Sequence, residues 1–459
     1  MLFPSFSFML GFLPLTALVY FILAPRSRNL SRIWLIAASF VFYSWFHYSY
    51  SLILAGSILG NYLIAEALHR RRSRMILLAG LIFNIGLLGY FKYYDFFIAN
   101  LNEIFRCSLT FKHILLPLGI SFFTFQQISF LCSVYSRSLE QKYDFPTYAL
   151  FVSFFPQLIA GPIVLPDEMM PQFNRPENLR PRAENISKGL FIFSLGLAKK
   201  ILLADFFAAI ADAGFESASV PGFFTAWKSA LAYTGQIYFD FSGYCDMAMG
   251  IGLIFNIRLP LNFDAPYRSA SIAEFWRRWH ITLGRFLMTF LYFPLGGSRC
   301  SRFRTCVNLM ITFLISGLWH GASWLFVLWG GLHGLALVIH RIWSRFTGHV
   351  MPRIPAQVLT FFFVTVTWVV FRAADMGQMK RIFTGMFLPS EWDLHVLLNP
   401  EDAVLFSAAA VILFCWRRSA ASYADDFRPT WFNGVLAAAL MIASMLFFVK
   451  TSPFIYFNF

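Results

Sequence analysis

Three blocks of polar residues interrupt an otherwise apolar chain, and all fall between residues 236 and 340. The first, QIYFDFSGYCDMAMGIG, sets Asp240, Ser242 and Asp246 among aromatic and aliphatic residues. An ionised carboxylate is costly in such surroundings, so it faces a watery cavity or a charged partner. Alternatively it stands at a helix end, with Asp240 or Ser242 capping the next turn. The third block, ISGLWHGASWLFVLWGGLHGLALVIH, places His320 in a strongly apolar run. A neutral imidazole is cheaper to bury than a carboxylate, and it can still accept a proton near neutral pH. His320 is therefore the expected general base. A lone histidine in a soluble core is usually structural, but inside a membrane run the balance moves toward function. His333 and His340 stand seven apart on one helical face. Gly317, Gly321, Gly330, Gly331 and Gly334 would let neighbouring helices approach closely.

The second block, LNFDAPYRSASIAEFWRRWHITLGRF, lies between the other two. Ser271-Ile-Ala-Glu274 reads as a capping box that opens a helix. Glu274 and Arg278 are four apart, in the favourable order for an ion pair. Trp276 and His280 share a face by the same spacing. Arg277, Arg278 and Arg285 make the expected helix basic and Trp-rich. It either lies on anionic lipid or forms the wall of a site for an anionic donor, and the two roles are compatible.

Composition defines what must position these blocks. Of the 459 residues, 58% are hydrophobic and 13% charged, and Phe alone supplies 57. Soluble globular chains carry about 25% charged residues. The apolar runs are unbroken, without the alternation of barrel strands, so the expected fold is an all-α polytopic bundle. Run lengths suggest about 11 crossings plus re-entrant and interfacial helices. Basic clusters at 25–32, 69–74 and 136–142 recur after every second crossing, which places them in the cytoplasm and the N-terminus outside. Residues 33–66 fold as two helices turning near His47–Tyr50. The proline-punctuated stretch 166–188 reads as an interfacial loop. The apolar runs 223–239 and 247–261 are separate segments on this reading. The start of the chain lacks a basic n-region and a cleavage site, so the first run is a retained span.

The formal charge of +14 sits in short loops, which points to membrane lipids as partners and not to nucleic acid. None of the six cysteines forms a C-x-x-C pair, and Cys300 and Cys306 share one basic loop. No H-E-x-x-H, G-x-S-x-G or G-x-x-x-x-G-K-[ST] motif occurs, so neither a bound metal nor a phosphate loop is expected. The chain reads as one membrane domain, 1–459, with its catalytic core at 236–340.

At these blocks the chain resembles the membrane-bound O-acyltransferase superfamily, and within it the bacterial branch of the alginate O-acetyltransferase type. The matching stretches are YFDFSGYCDMAMGIG, NFDAPYRSASIAEFWRRWHITL, LYFPLGGSR, SGLWHGASW and the carboxyl end SPFIYFNF, with YFKYY, LLPLGISFFTFQQ and FPQLIAGP earlier. The resemblance implies a helical fold around a central tunnel in a thinned inner membrane. It implies no bound cofactor, but an activated acyl donor, usually acetyl-CoA, entering from the cytoplasm. It puts the invariant catalytic histidine on His320 and the branch's second polar position on His280. Asp240, Ser242, Asp246, Trp276, Arg277, Arg278 and His333 become donor-binding or supporting residues. A periplasmic or extracytoplasmic partner protein would place the acetyl group on an exopolysaccharide. Where the family has an Arg-Asp pair before the L-G-G turn, this chain has Met288-Thr289.

Three rival readings keep the same residues. D-Alanyl transfer to teichoic acid is the related acyl chemistry. A transporter would use His320 and Asp240 to line a permeation path, and a scaffold subunit of a polymer-export complex would not need His320 at all.

Overall fold

The structure is a computed structural model that describes residues 1–139, 141–346, 351–415, 420–448 and 454–455. Every regular element among the described residues is helical. In chain order the principal helices are α1 (Ser7–Leu23), α2 (Arg28–Ser44), α3 (Tyr48–Arg70), α4 (Arg74–Phe105), α5 (Ile120–Ser136), α6 (Phe145–Ser153), α7 (Ala183–Ala198) and α8 (Asp205–Phe215). They continue with α9 (Phe223–Ile254), α10 (Ile272–Arg278), α11 (Ile281–Leu287), α12 (Arg302–His320) and α13 (Trp324–Phe346). The last are α14 (Arg353–Arg372), α15 (Met376–Phe387), α16 (Pro400–Ala410) and α17 (Trp431–Leu446). Among the described residues, α3, α4, α13 and α14 are long and apolar enough to cross a membrane, and α1 and α17 are shorter apolar helices.

The chain falls into two compact units. One comprises Met1–Ser194, Cys245–Pro260 and Phe427–Ala438, and the other Leu195–Tyr244, Leu261–Asp426 and Ala439–Phe459. In the first, α2 and α3 meet at a turn through Trp45–His47, as the sequence suggests. A buried amide network joins α3, α4, α5 and α6. Asn84 Nδ2 donates to Asn61 Oδ1 at 2.6 Å, Asn61 Nδ2 donates to Gln127 Oε1 at 2.8 Å, and Tyr148 donates to the same oxygen at 3.1 Å. Such bonds tie helices where no hydrophobic gradient exists to drive them together. Residues 166–182 are a series of short turns that buries Met169, Met170 and Phe173, whereas the last part of the expected loop, 183–188, is already helical as the start of α7.

Two expectations about helix boundaries are corrected. The runs 223–239 and 247–261 are not separate: residues 223–254 form one 32-residue helix, α9. Asp240, Ser242 and Asp246 are therefore mid-helix and buried, not caps. The helix survives because the sequence offers no proline there, and because the charge of Asp240 is compensated, as described below. Conversely, the expected single helix from Ser271 to Phe286 is broken. α10 stops at Arg278, Trp279 is extended, and His280 takes a left-handed conformation at φ +44°. His280 and Trp276 thus do not share a helical face.

The second unit carries all but one of the residues singled out in the sequence. Asp246 lies on the stretch of α9 that belongs to the first unit. α12 and α13 form the tightest pair of the second unit. A Cβ on Gly317 would strike the carbonyl of Phe326, and one on Gly330 would strike the carbonyl of Phe313. The glycines therefore permit backbone-to-backbone contact, as the small-residue pattern predicts. Among the described residues none of the six cysteines is in a disulfide.

Candidate active site

His320 is the last residue of α12, and Gly321 leaves the helix in an extended conformation. The imidazole is only 3% exposed. Aromatic rings surround it: Trp319, Trp329 and Phe371 lie with centroids at 5.0, 5.1 and 5.3 Å. His280, 40 positions earlier and reached through the intervening basic loop, brings its ring to 6.4 Å. Two histidines singled out from the sequence thus lie side by side, both buried.

The chain break at His280 is what brings it there. Two backbone bonds hold the segment before α10 against the break. Asp264 N–H donates to the Arg278 carbonyl at 2.9 Å, and Ile281 N–H donates to the Asn262 carbonyl at 3.0 Å. The His280 ring meets Phe241 of α9 at 4.8 Å, edge to face. Its Nδ1 lies 3.1 Å from Asn262 Oδ1, which also faces the Thr282 N–H and hydroxyl.

His333 is fully buried, but its bonding is structural. Trp276 Nε1–H points at His333 Nδ1 at 3.2 Å, and His333 Nε2 lies 3.0 Å from the Thr367 hydroxyl. That hydroxyl gives its only proton to the Val364 carbonyl at 2.9 Å, so Nε2 must be the donor. Both ring nitrogens are then committed, and His333 ties α10, α13 and α14 together. Trp276 belongs to the same tie.

The capping box forms in an altered version. Ser271 accepts from Glu274 N–H at 3.1 Å, while Glu274 reaches back to the N–H of Ala270 at 2.8 Å. The predicted Glu274–Arg278 ion pair is present at 2.9 Å, and Arg278 also donates to the Asp264 carbonyl at 3.2 Å. Arg278 is held within the fold, whereas Arg277 is exposed.

Asp240 has a partner that sequence reading missed. Lys200, in the segment between α7 and α8, bridges Asp240 at 2.9 Å and Asp205 at 2.8 Å. All three side chains are at most 5% exposed. The other Asp240 oxygen accepts the N–H of Ile455 at 2.7 Å, and Phe454 packs on Phe241 and Tyr244. Of the carboxyl-terminal motif, residues 452–453 and 456–459 lie outside the described residues. The signal for Lys200 was visible: Lys199, Lys200 and Asp205 stand inside a run otherwise apolar enough to pass as a span. Ser242 Oγ, Gln236 Oε1, Ser316 Oγ and Trp329 Nε1 are buried with no hydrogen-bond partner among the described residues. No group of His, Cys, Asp and Glu suited to a metal occurs among the described residues.

Two imidazoles side by side among buried aromatic rings suit proton transfer to and from an oxygen nucleophile. Comparison with known proteins gives the family. Residues 100–375 match the model of the membrane-bound O-acyltransferase family. The chain is 41% identical to the peptidoglycan O-acetyltransferase of Helicobacter pylori over all of its own length and 98% of that protein. It is 40% identical to the probable alginate O-acetylase AlgI of Pseudomonas aeruginosa, over 86% of this chain and 77% of that one. It is 26% identical to the teichoic acid D-alanyltransferase of Streptococcus thermophilus, over half of this chain and 57% of that one. The chain belongs to the membrane-bound O-acyltransferase family and is an enzyme that transfers acyl groups to oxygen.

Proposed function

We propose that this enzyme takes acetyl from acetyl-CoA on the cytoplasmic side and delivers it to or across the membrane, for O-acetylation of an extracytoplasmic polysaccharide. The observation that carries the reading is His320 buried at the end of α12 with His280 beside it. His320 removes the proton of the attacking hydroxyl as its oxygen adds to the thioester carbonyl. The carbon–sulfur bond then breaks, the ester forms, and the proton passes from His320 to the departing thiolate. General base assistance of this kind is worth roughly 10²–10⁴-fold.

Relatives named for peptidoglycan and for alginate support a polysaccharide acceptor, and the first is matched over the whole chain. D-Alanyl transfer to teichoic acid is the second reading, and it rests on the more distant likeness over half of the chain. Segment 236–340 carries the chemistry. The bundle crosses the inner membrane about 11 times, counting short and broken helices, around a central tunnel with the N-terminus outside. An extracytoplasmic partner protein completes delivery to the polymer. Arg277, exposed beside the bound Arg278, is the better placed of the two to meet donor phosphates.

Detergent-purified enzyme given acetyl-CoA labelled in the acetyl group tests the reading. Label released or transferred at a rate well above the buffer control is the expected result. No turnover with acetyl-CoA, but turnover with a D-alanyl donor, would replace it with the second reading.

A further inference from the structure

His280 sits in a left-handed conformation at a helix break, and Asn262 bonds to the far side of the break with both its carbonyl and its side chain. The carbonyl of Asn262 accepts Ile281 N–H at 3.0 Å, and its Oδ1 accepts Thr282 N–H at 3.2 Å. Both are first-turn donors of α11 that have no partner within the helix. Because a backbone N–H can only donate, the side-chain atom facing it is the carboxamide oxygen and not the nitrogen. Every other group on that oxygen must therefore donate too. The Thr282 hydroxyl does so at 2.8 Å, and so must His280 Nδ1 at 3.1 Å. A neutral imidazole has one ring proton, so Nε2, on the side of the ring away from Asn262, holds a lone pair.

We infer that Asn262 is a positioning residue that holds His280 as the Nδ1–H tautomer, so that His280 meets the reacting groups beside His320 as a hydrogen-bond acceptor. The inference rests on the acyl-transfer reading for its consequence. It removes one role from the choice: a neutral His280 in this tautomer cannot polarise the acyl carbonyl by donating to it from Nε2. Toward a reacting group its Nε2 can only accept a hydrogen bond, while His320 takes the proton of the attacking hydroxyl. In serine hydrolase triads, an orienting partner that leaves the histidine in the wrong tautomer costs about 10⁴-fold in rate.

Capping of α11 alone would also make Asn262 matter, so the test must read the imidazole. Full-length enzyme labelled with ¹⁵N-histidine, its His280 resonances identified by their loss in His280→Gln, is expected to show a protonated Nδ1 and a bare Nε2 at neutral pH. A proton on Nε2 overturns the inference. Turnover of acetyl-CoA is then compared in Asn262→Asp, which keeps the accepting oxygen, and Asn262→Leu, which does not. The expected result is kcat lowered about 100-fold in the Leu variant, KM for acetyl-CoA within about twofold, and at least about a tenth of wild-type kcat in the Asp variant. Wild-type kcat in a normally accumulating Leu variant overturns the inference. If neither variant accumulates, the wild-type spectrum decides alone. A wild-type enzyme inert toward acetyl-CoA would defeat the acetyl reading while leaving the tautomer to the spectrum.

Discussion

Lys200 lies between two buried carboxyl groups, 2.8 Å from Asp205 and 2.9 Å from Asp240. Removing the cation would leave two buried anions facing each other. Breaking a buried ion pair from one side typically costs 3–5 kcal/mol. Lys200→Met is therefore expected to lower thermal stability and membrane abundance severely. Asp240→Asn, which keeps an acceptor for Ile455 N–H and leaves the Lys200–Asp205 pair balanced, is expected to cost much less. Detergent-melting curves of both variants check the ordering, and equal losses would contradict it. The residue scale is also where the sequence was most and least legible. His320 stands out because nothing apolar explains an imidazole in that run. His333 stood out equally, yet both of its nitrogens are tied to Trp276 and Thr367. Residue type and surroundings alone cannot show which buried histidine has both ring nitrogens tied into the fold. Asn262 and Lys200 were missed because their importance lies in partners distant in the chain.

At the scale of elements, apolar runs revealed where helices lie but not where they end. α9 runs through three polar residues because Lys200 compensates one of them, and no local signal records that. The break at His280 was hidden for the opposite reason. The pattern from Ser271 continues in helical register, and the closure comes from Asn262, upstream of the helix. The capping box and the Glu274–Arg278 pair were legible because both are local. The glycine seam was legible too, and it makes a sharp prediction. Gly330→Ala places a Cβ against the Phe313 carbonyl and within 3.1 Å of Gly317 Cα. Separation of α12 from α13 moves His320, so acetyl transfer should fall at least about tenfold, as expected when a base loses its reach. Gly86→Ala, where a Cβ meets nothing within 4 Å, should leave the rate unchanged.

The start of α9 is held from afar. Asp393, in the loop between α15 and α16, accepts Phe224 N–H at 2.8 Å, Thr225 N–H at 3.2 Å and the Thr225 hydroxyl. Burial pushes its carboxyl toward protonation, but these bonds outweigh burial and hold its pKa below the ordinary carboxylate value. A depressed folded-state pKa stabilises above the unfolded value, and the gain is lost as pH falls through the folded one. The contribution of Asp393 should therefore be complete at neutral pH and fade only below about pH 4. Asp393→Ala should cost about 0.5–2 kcal/mol at pH 7 and progressively less in that acid range, by melting temperature. A constant difference across the range would contradict the assignment.

For the whole molecule, composition alone decides between water and lipid, since 58% hydrophobic residues exceed what a soluble fold of this charge content can hide. Family membership was legible because its motifs coincide with the polar blocks that lipid would not tolerate. The central claim is that His320 performs the transfer, and it is tested most directly in cells. Surface polymer O-acetyl esters are measured in cells carrying His320→Ala, with the membrane level of the protein measured in parallel. The account predicts normal membrane levels with acetyl esters reduced to the background of a strain lacking the protein, and the polymer that loses them identifies the acceptor. Acetylation at the wild-type level would contradict it, making His320 structural and moving the chemistry to another residue or another subunit.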